Sequence, residues 1–318
     1  MNGKWVKMTG FLSVFLLSVA LTNNSFTTTF INGLKGKTVL TSAKTDKLYE
    51  EIVKRAKHYE VDPQNAEIHK IWKKTPGYNG LKVDIDASYK RMKEKGLFNP
   101  QLLVYKQVPP SIHLSDLPPE AIYRGHPDKP MVSFLINVAW GNEYLPKMLF
   151  ILKKHHVKAT FFLEGRWVKN NPELAKMIVE NGHDIGNHSY SHPDMARLPT
   201  AKIRQEIIQT NEVIEAITGK KVKWFAPPSG SFRKEVVEIA AEQQMETIMW
   251  SVDTIDWQKP SPETLINRVM SKVHNGALIL MHPTSSTADS LETLIISMKE
   301  KNLSIGSLTD MFDEQRLH

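Results

Sequence analysis

His188 and His192 stand four residues apart, directly after an apolar, strand-like run. On a helical turn that spacing brings two imidazoles to one face, where neutral rings can grip zinc or a similar divalent ion. A histidine pair alone is as often packed or solvated as it is a ligand pair. Its position gains meaning from His282 and Asp256, which stand at the ends of other apolar runs. An Asp beside a His fixes the ring tautomer and raises its pKa, which makes a proton donor. Asp256 could equally cap a loop, and its neighbour Trp257 could equally fill a core.

The elements that must position these residues lie between Pro130 and His318. Apolar runs at Met131–Ile136, Lys158–Leu163, Asp184–Asn187, Lys223–Ala226, Thr247–Val252 and Ala277–Met281, with a weaker one at Leu303–Ser307, read as strands. Amphipathic stretches separate them. Ile203, Ile207, Ile214 and Ile217 share one helical face, as do Leu174, Met177 and Ile178. Strands alternating with helices predict a parallel sheet, open or closed into a barrel. In a barrel the C-terminal strand ends are where a site is built.

The runs Lys158-Ala159-Thr160-Phe161-Phe162 with Gly165, and Gly182-His183-Asp184-Ile185-Gly186-Asn187-His188-Ser189-Tyr190-Ser191-His192, resemble the NodB-homology polysaccharide deacetylases, carbohydrate esterase family 4. The resemblance covers Pro130 to the C-terminus in the family's motif order. Across the whole chain it is similar to the sporulation-associated YlxY-like branch. It implies a distorted (β/α) barrel of the NodB-homology type, with a small, mostly helical N-terminal accessory segment. It also implies removal of acetyl groups from N-acetylglucosamine or N-acetylmuramic acid. In the family, one Asp of the first motif is the base, and the next Asp with two histidines holds a metal. An Arg orients the base, and an Asp-Trp pair with a His supplies the acid.

Carried over, the metal histidines are His188 and His192, and the acid group is His282 with Asp256 and Trp257. The Asp-Asp pair is replaced by Ala139-Trp140 before Gly141, and the Arg by Ala226, while Pro227 and Pro228 remain. Pro227, Pro228 and Trp140 are expected to border the substrate groove. Ala139 cannot take a proton, and loss of a general base commonly costs ~10²–10⁴-fold. Without its anionic ligand, zinc or another divalent metal is expected to be held weakly or not at all. The losses are coherent, because an Arg that orients a carboxylate has no task once that carboxylate is gone. Glu143 and Asp194 are candidates for a relocated base, with surface acids as the default reading. Asn137 could serve as a neutral metal ligand, although a buried hydrogen-bonding role is the better reading.

The rest of the chain bounds the setting. Lys4 and Lys7 precede an apolar run from Phe11 to Leu21. This has the pattern of a signal peptide and falls short of the ~20 residues a spanning helix needs. Residues 1–22 are therefore read as a signal peptide or N-terminal anchor, 23–108 as an accessory segment, 109–129 as a proline-rich linker and 130–318 as the deacetylase-like domain. Cysteine is absent, which excludes disulfides and thiolate chemistry. The formal charge of +7 comes with no Lys/Arg run that argues for nucleic acid. The expected partner is N-acetylated glycan, with membrane contact only through the N-terminal segment. The protein is expected to be a monomer, secreted or anchored on the extracytoplasmic face of a bacterial envelope. Three functions stay open: a deacetylase with an altered site, a non-catalytic glycan-binding pseudoenzyme, or an envelope scaffold. The residues favour impaired or absent activity.

Overall fold

The computed structural model describes Thr29 and residues 46–316. The signal peptide or anchor expected over residues 1–22 lies outside the described residues. Among those described, no helix is long and apolar enough to cross a membrane. The chain forms two compact units. Among the described residues, one takes those up to Val61 together with Leu81–Lys106, and the other takes Asp62–Gly80 and those from Gln107 onward.

In the first unit, the helices Lys47–Tyr59 and Ile85–Met92 close around Leu48, Ile52, Val83, Met92 and Leu103. Asp46 caps the first helix by accepting from the Leu48 N–H at 2.8 Å. The Tyr89 hydroxyl donates to the same carboxylate at 2.8 Å and so ties the two helices together.

Among the described residues, four strands precede the main sheet: β1 (Glu67–His69), β2 (Lys73–Thr75), β3 (Gly80–Val83) and β4 (Tyr105–Val108). They pair as β1–β2 and β3–β4. The main sheet contains β5 (Met131–Val138), β6 (Thr160–Leu163), β7 (Asp184–Asn187), β8 (Trp224–Phe225), β9 (Glu246–Thr247), β10 (Val252–Asp253), β11 (Ala277–Met281) and β12 (Ser304–Ile305). Its order is β10-β11-β5-β6-β7-β8-β9, with β12 also on β5, and the registers between its neighbours are parallel. This is the curled parallel α/β sheet that the resemblance implies.

The run Thr247–Val252, expected as one strand, is divided between both sheet edges. The Ile248 N–H pairs with the Phe225 carbonyl at 2.7 Å, whereas the Ser251 N–H reaches the Leu278 carbonyl at 3.0 Å. A single segment therefore passes from one edge to the other and curls the sheet. Residues 109–129, expected as a linker, belong to the second unit. Ile122 is fully buried and bridges Ile248, and Arg124 bridges Ala277.

The period-2 alternation of strands sorts the side chains. Phe134, Ile136 and Val138 pack outward with the helix residues Leu145, Leu149 and Leu291. Met131 and Leu135 pack inward with Ile122, Phe162 and Leu278. Asn137 on β5 and Ala139 just past its end continue the inner series, His188 follows Gly186 past the end of β7, and His282 follows Leu278 and Leu280 past the end of β11. Three strand ends thus aim alternate residues into one bowl.

The loops above the bowl meet at Gly141. Its φ is +83°, and a Cβ there would lie 2.0 Å from the Pro283 carbonyl oxygen. Only glycine allows this approach. Gly141→Ala is expected to cost roughly 2 kcal/mol or more in denaturant unfolding.

Candidate functional site

His188 is buried at the end of β7. Its Nδ1–H donates to the Ala226 carbonyl at 2.7 Å, which leaves Nε2 as an acceptor. Burial, aided by nearby His192 and His282, pushes its pKa down to about 3, so the ring is neutral. The His188–His192 spacing does not work through a helical turn as expected. Ser189 and His192 adopt φ of 61° and 55°, and the rings meet edge to face at 5.0 Å. The Ser189 hydroxyl accepts from the His192 N–H at 3.1 Å. Glu206, from the helix Thr200–Thr218, accepts from the N–H groups of Tyr190 and Ser191 at 2.9 and 2.7 Å. The sequence carries no local sign of that brace.

The second half of the site is built on Asp256, which is fully buried. Its Oδ1 accepts from His282 Nδ1 at 2.8 Å. Its Oδ2 accepts from the His282 backbone N–H at 2.6 Å and the Thr287 hydroxyl at 2.5 Å. The tautomer this fixes turns His282 Nε2 away from Asp256. Thr287 sits in the first turn of the helix Ser285–Glu300, so the carboxylate ties that helix to the end of β11. Asp256→Ala would leave buried donors without an acceptor. It is expected to cost about 3 kcal/mol of stability, against about 1 for His282→Ala, measured by denaturant unfolding.

Both halves face a cavity of about 470 Å³, lined also by Asn137, Ala139, Trp140, Trp250, Asp253 and Trp257. Trp140 lies parallel to the His282 ring, with centroids 6.0 Å apart and planes 7° from coincidence. Trp140 and Trp257 are 48% and 57% exposed, so both rings stand at the rim. Pro227 and Pro228, expected in the groove, are instead buried and do not line this cavity. Their restricted backbones begin a tight turn that presents Ser229, at φ 54°, to the cavity. Ala226 is buried in the inner cluster, and its carbonyl holds His188.

Neither candidate replacement base lines this cavity. Glu143 is exposed on a neighbouring cavity, beyond Trp140. Asp194 is half exposed, accepts from the Ser231 hydroxyl and pairs with Arg197 at 3.2 Å. The carboxylate that does line the cavity is Asp253, at the end of β10; its Oδ1 accepts from the Ile255 N–H at 2.8 Å. Asp253 stands at the end of an apolar run in the sequence but was given no role there, and Trp250 was not singled out, because it lies inside that run and only the crossing of residues 246–253 brings it here.

The family uses a divalent metal, and the donor set can be tested against one. Among the described residues, no group of three or more His, Cys, Asp or Glu side chains could hold a metal ion. His188 and His192 bring two imidazoles and no carboxylate, and that pair does not fit a catalytic site needing three protein ligands.

The polysaccharide deacetylase family model matches residues 124–248. YlxY of Bacillus subtilis is 59% identical over 317 residues, covering 100% of this chain and 99% of YlxY. The peptidoglycan-N-acetylmuramic acid deacetylase PdaA of Bacillus subtilis is 32% identical over 203 residues, covering 62% of this chain and 77% of PdaA. The crystal structure of a carbohydrate esterase family 4 pseudoenzyme from Bacillus anthracis is 60% identical with a TM-score of 0.82, covering 86% of this chain and 97% of that one. A mutant of that pseudoenzyme is described as having restored enzymatic activity. Identity that runs end to end with YlxY, on the same curled sheet as the solved pseudoenzyme, makes this chain a member of the NodB-homology polysaccharide deacetylases, carbohydrate esterase family 4, in their YlxY-like branch.

Proposed function

We propose that this protein binds N-acetylated cell-wall or spore glycan on the extracytoplasmic side of the envelope and is impaired in hydrolysing the acetamide C–N bond. The observation that carries the reading is Trp140. Where the resemblance expects a metal-binding carboxylate, a tryptophan lies flat over His282. Ala139 beside it can accept no proton. His282 and Asp256 are paired, but among the described residues no carboxylate, Asp253 included, joins His188 and His192 in a group that could hold a metal ion.

What remains suits a sugar. Trp140, Trp250 and Trp257 offer aromatic faces to the C–H surface of a pyranose, each with an indole N–H for a hydroxyl. His188 Nε2, His282 Nε2 and Asp253 can accept from sugar hydroxyls. The deacetylase relative acts on peptidoglycan, and the solved relative is a pseudoenzyme, which supports both parts of the reading. Lys4, Lys7 and the apolar run after them support export.

The test pairs calorimetric binding with acetate release, using N-acetylglucosamine oligomers and muropeptides with added zinc. The expected result is saturable binding, with acetate release no higher than that of His282→Ala. Zinc-dependent release abolished by His188→Ala would establish a working deacetylase instead. Absence of glycan binding, together with co-purification of a wall protein, would favour the scaffold reading.

A further inference from the structure

A separate cavity, of about 330 Å³, lies at the other end of the sheet from His188, where β7 begins at Asp184 and β8 begins at Trp224. The helix Thr200–Thr218 stops at Gly219, whose φ is +69°. The loop that follows lays Lys220, Lys221 and Lys223 along the cavity wall, all three exposed. Lys158 joins them from the turn before β6. Its Nζ donates to the Asn181 carbonyl and would lie 2.8 Å from a Cβ on Gly182, which is part of the wall. Lys158 is remote from the other three in sequence, so only the fold gathers the four ammonium groups.

Little on the wall answers their charge. Among the described residues, Asp184 is the one lining carboxylate, and its Oδ2 already accepts the Thr309 N–H at 2.9 Å. Lys221 meets Glu215 only at 4.0 Å, with both side chains more than half exposed, and such a pair is weak. His183, also on the wall, stays neutral, because burial first and Lys158 second push its pKa down to about 4. Charges of one sign gathered in a recess raise the local concentration of an anion.

The donor type narrows the anion. Among the described lining residues there is no arginine, hence no planar fork to hold a single carboxylate in one pose. Separate ammonium points suit tetrahedral phosphates that present themselves in several orientations along a chain. Trp224, half-buried on the same wall, offers its ring to the C–H surface of the spacers between them. A membrane surface would meet side chains that protrude, whereas these surround a recess.

We infer that this cavity docks a phosphodiester chain of the polyol-phosphate kind, at the end of the sheet opposite the glycan cavity. The inference does not depend on glycan binding, and it gives the excess positive charge of the chain a place and a partner.

The experiment titrates the full chain with poly(glycerol phosphate) in a calorimeter, and in parallel sediments it with vesicles of phosphatidylglycerol and phosphatidylcholine. Wild type is expected to bind the polymer. The triple variant Lys220→Gln, Lys221→Gln and Lys223→Gln is expected to bind it about tenfold more weakly, as three exposed charge contacts imply. A control with the same change of charge, Lys169→Gln, Lys202→Gln and Lys272→Gln, uses exposed residues that do not line the cavity. It should lose less than about threefold on the same scale. Lys→Arg at the three cavity positions should keep binding within about twofold of wild type, since the charge stays. No binding of the polymer by wild type, or equal losses in the two glutamine variants, would overturn the inference. Loss in the cavity variant confined to the vesicles would overturn it in favour of a membrane surface.

Discussion

The double substitution Ala139→Asp with Trp140→Asp is expected to give this protein zinc binding and acetate release, raising turnover by ~10²–10⁴-fold over wild type. Each change has a separate task. Trp140→Asp removes the indole that lies 6.0 Å from the His282 ring centroid and adds an anionic ligand to the two imidazoles. That completes a three-residue donor set of the kind catalytic zinc sites use. Ala139→Asp supplies a proton acceptor on the cavity wall just past the end of β5, in the series of Leu135 and Asn137. The acid side needs no repair, because Asp256 and His282 are already 2.8 Å apart. Trp140→Asp alone should therefore bind zinc in calorimetry without appreciable turnover, and Ala139→Asp alone should do neither. A double variant that folds and binds no zinc would show that the His188–His192 pair is no longer a ligand pair. The solved pseudoenzyme relative, of which a mutant has restored enzymatic activity, makes this a test of how closely the two sites correspond.

Much of this site could be read from the sequence because parallel sheets put chemistry at strand ends. His188, Asp256 and His282 were legible as polar residues following apolar runs; the two histidines line one cavity, and Asp256 is buried behind it, holding His282. Their mode of support was not legible. Four-residue spacing suggested a helical turn for His188 and His192, but left-handed Ser189 and His192 make the approach instead. Glu206 braces Tyr190 and Ser191 from 16 and 15 residues further along the chain, and Thr287 braces Asp256 from 31 residues further along, and neither has a local signature. The apolar run at Thr247–Val252 could not reveal that it changes partners midway, since hydrophobicity records burial and not which neighbour supplies it. That single misreading hid Trp250. It also hid the place of residues 109–129, because Ile122 packs against the crossing segment.

Stability is expected to fall steeply as pH drops below 6.5, through His188 at the strand-end cavity, whose pKa is pushed down to about 3, and through two histidines remote from it, pushed down to about 4. His126 is stacked on Tyr78, with ring centroids 4.9 Å apart, and its Nδ1 accepts the Asp128 N–H at 3.1 Å. His183 Nδ1 accepts the Ala159 N–H at 3.2 Å. Protonating either ring at Nδ1 would destroy that acceptor. Burial is the main cause that pushes both pKa values down to about 4. Arg316, Arg124 and Lys129 add to it at His126 and Lys158 at His183, with Asp128 and Asp184 opposing.

The sign follows from the order of the two pKa values. The unfolded chain takes up these protons below the ordinary value of 6.5, whereas the folded protein resists until about 4. Their stabilising contribution is thus complete above pH 6.5 and is lost as pH falls toward 4. Each ring contributes a slope of about 1.4 kcal/mol per pH unit, or about 2 kcal/mol at pH 5. Denaturant unfolding at pH 7, 6 and 5 would measure the slope. His183→Asn and His126→Asn, which keep a side-chain acceptor but cannot titrate, should each remove one proton's share of it. Stability that stays flat from pH 7 to 5 would mean that these rings are protonated in the fold, and that the acceptor geometry at Asp128 and Ala159 does not persist in solution.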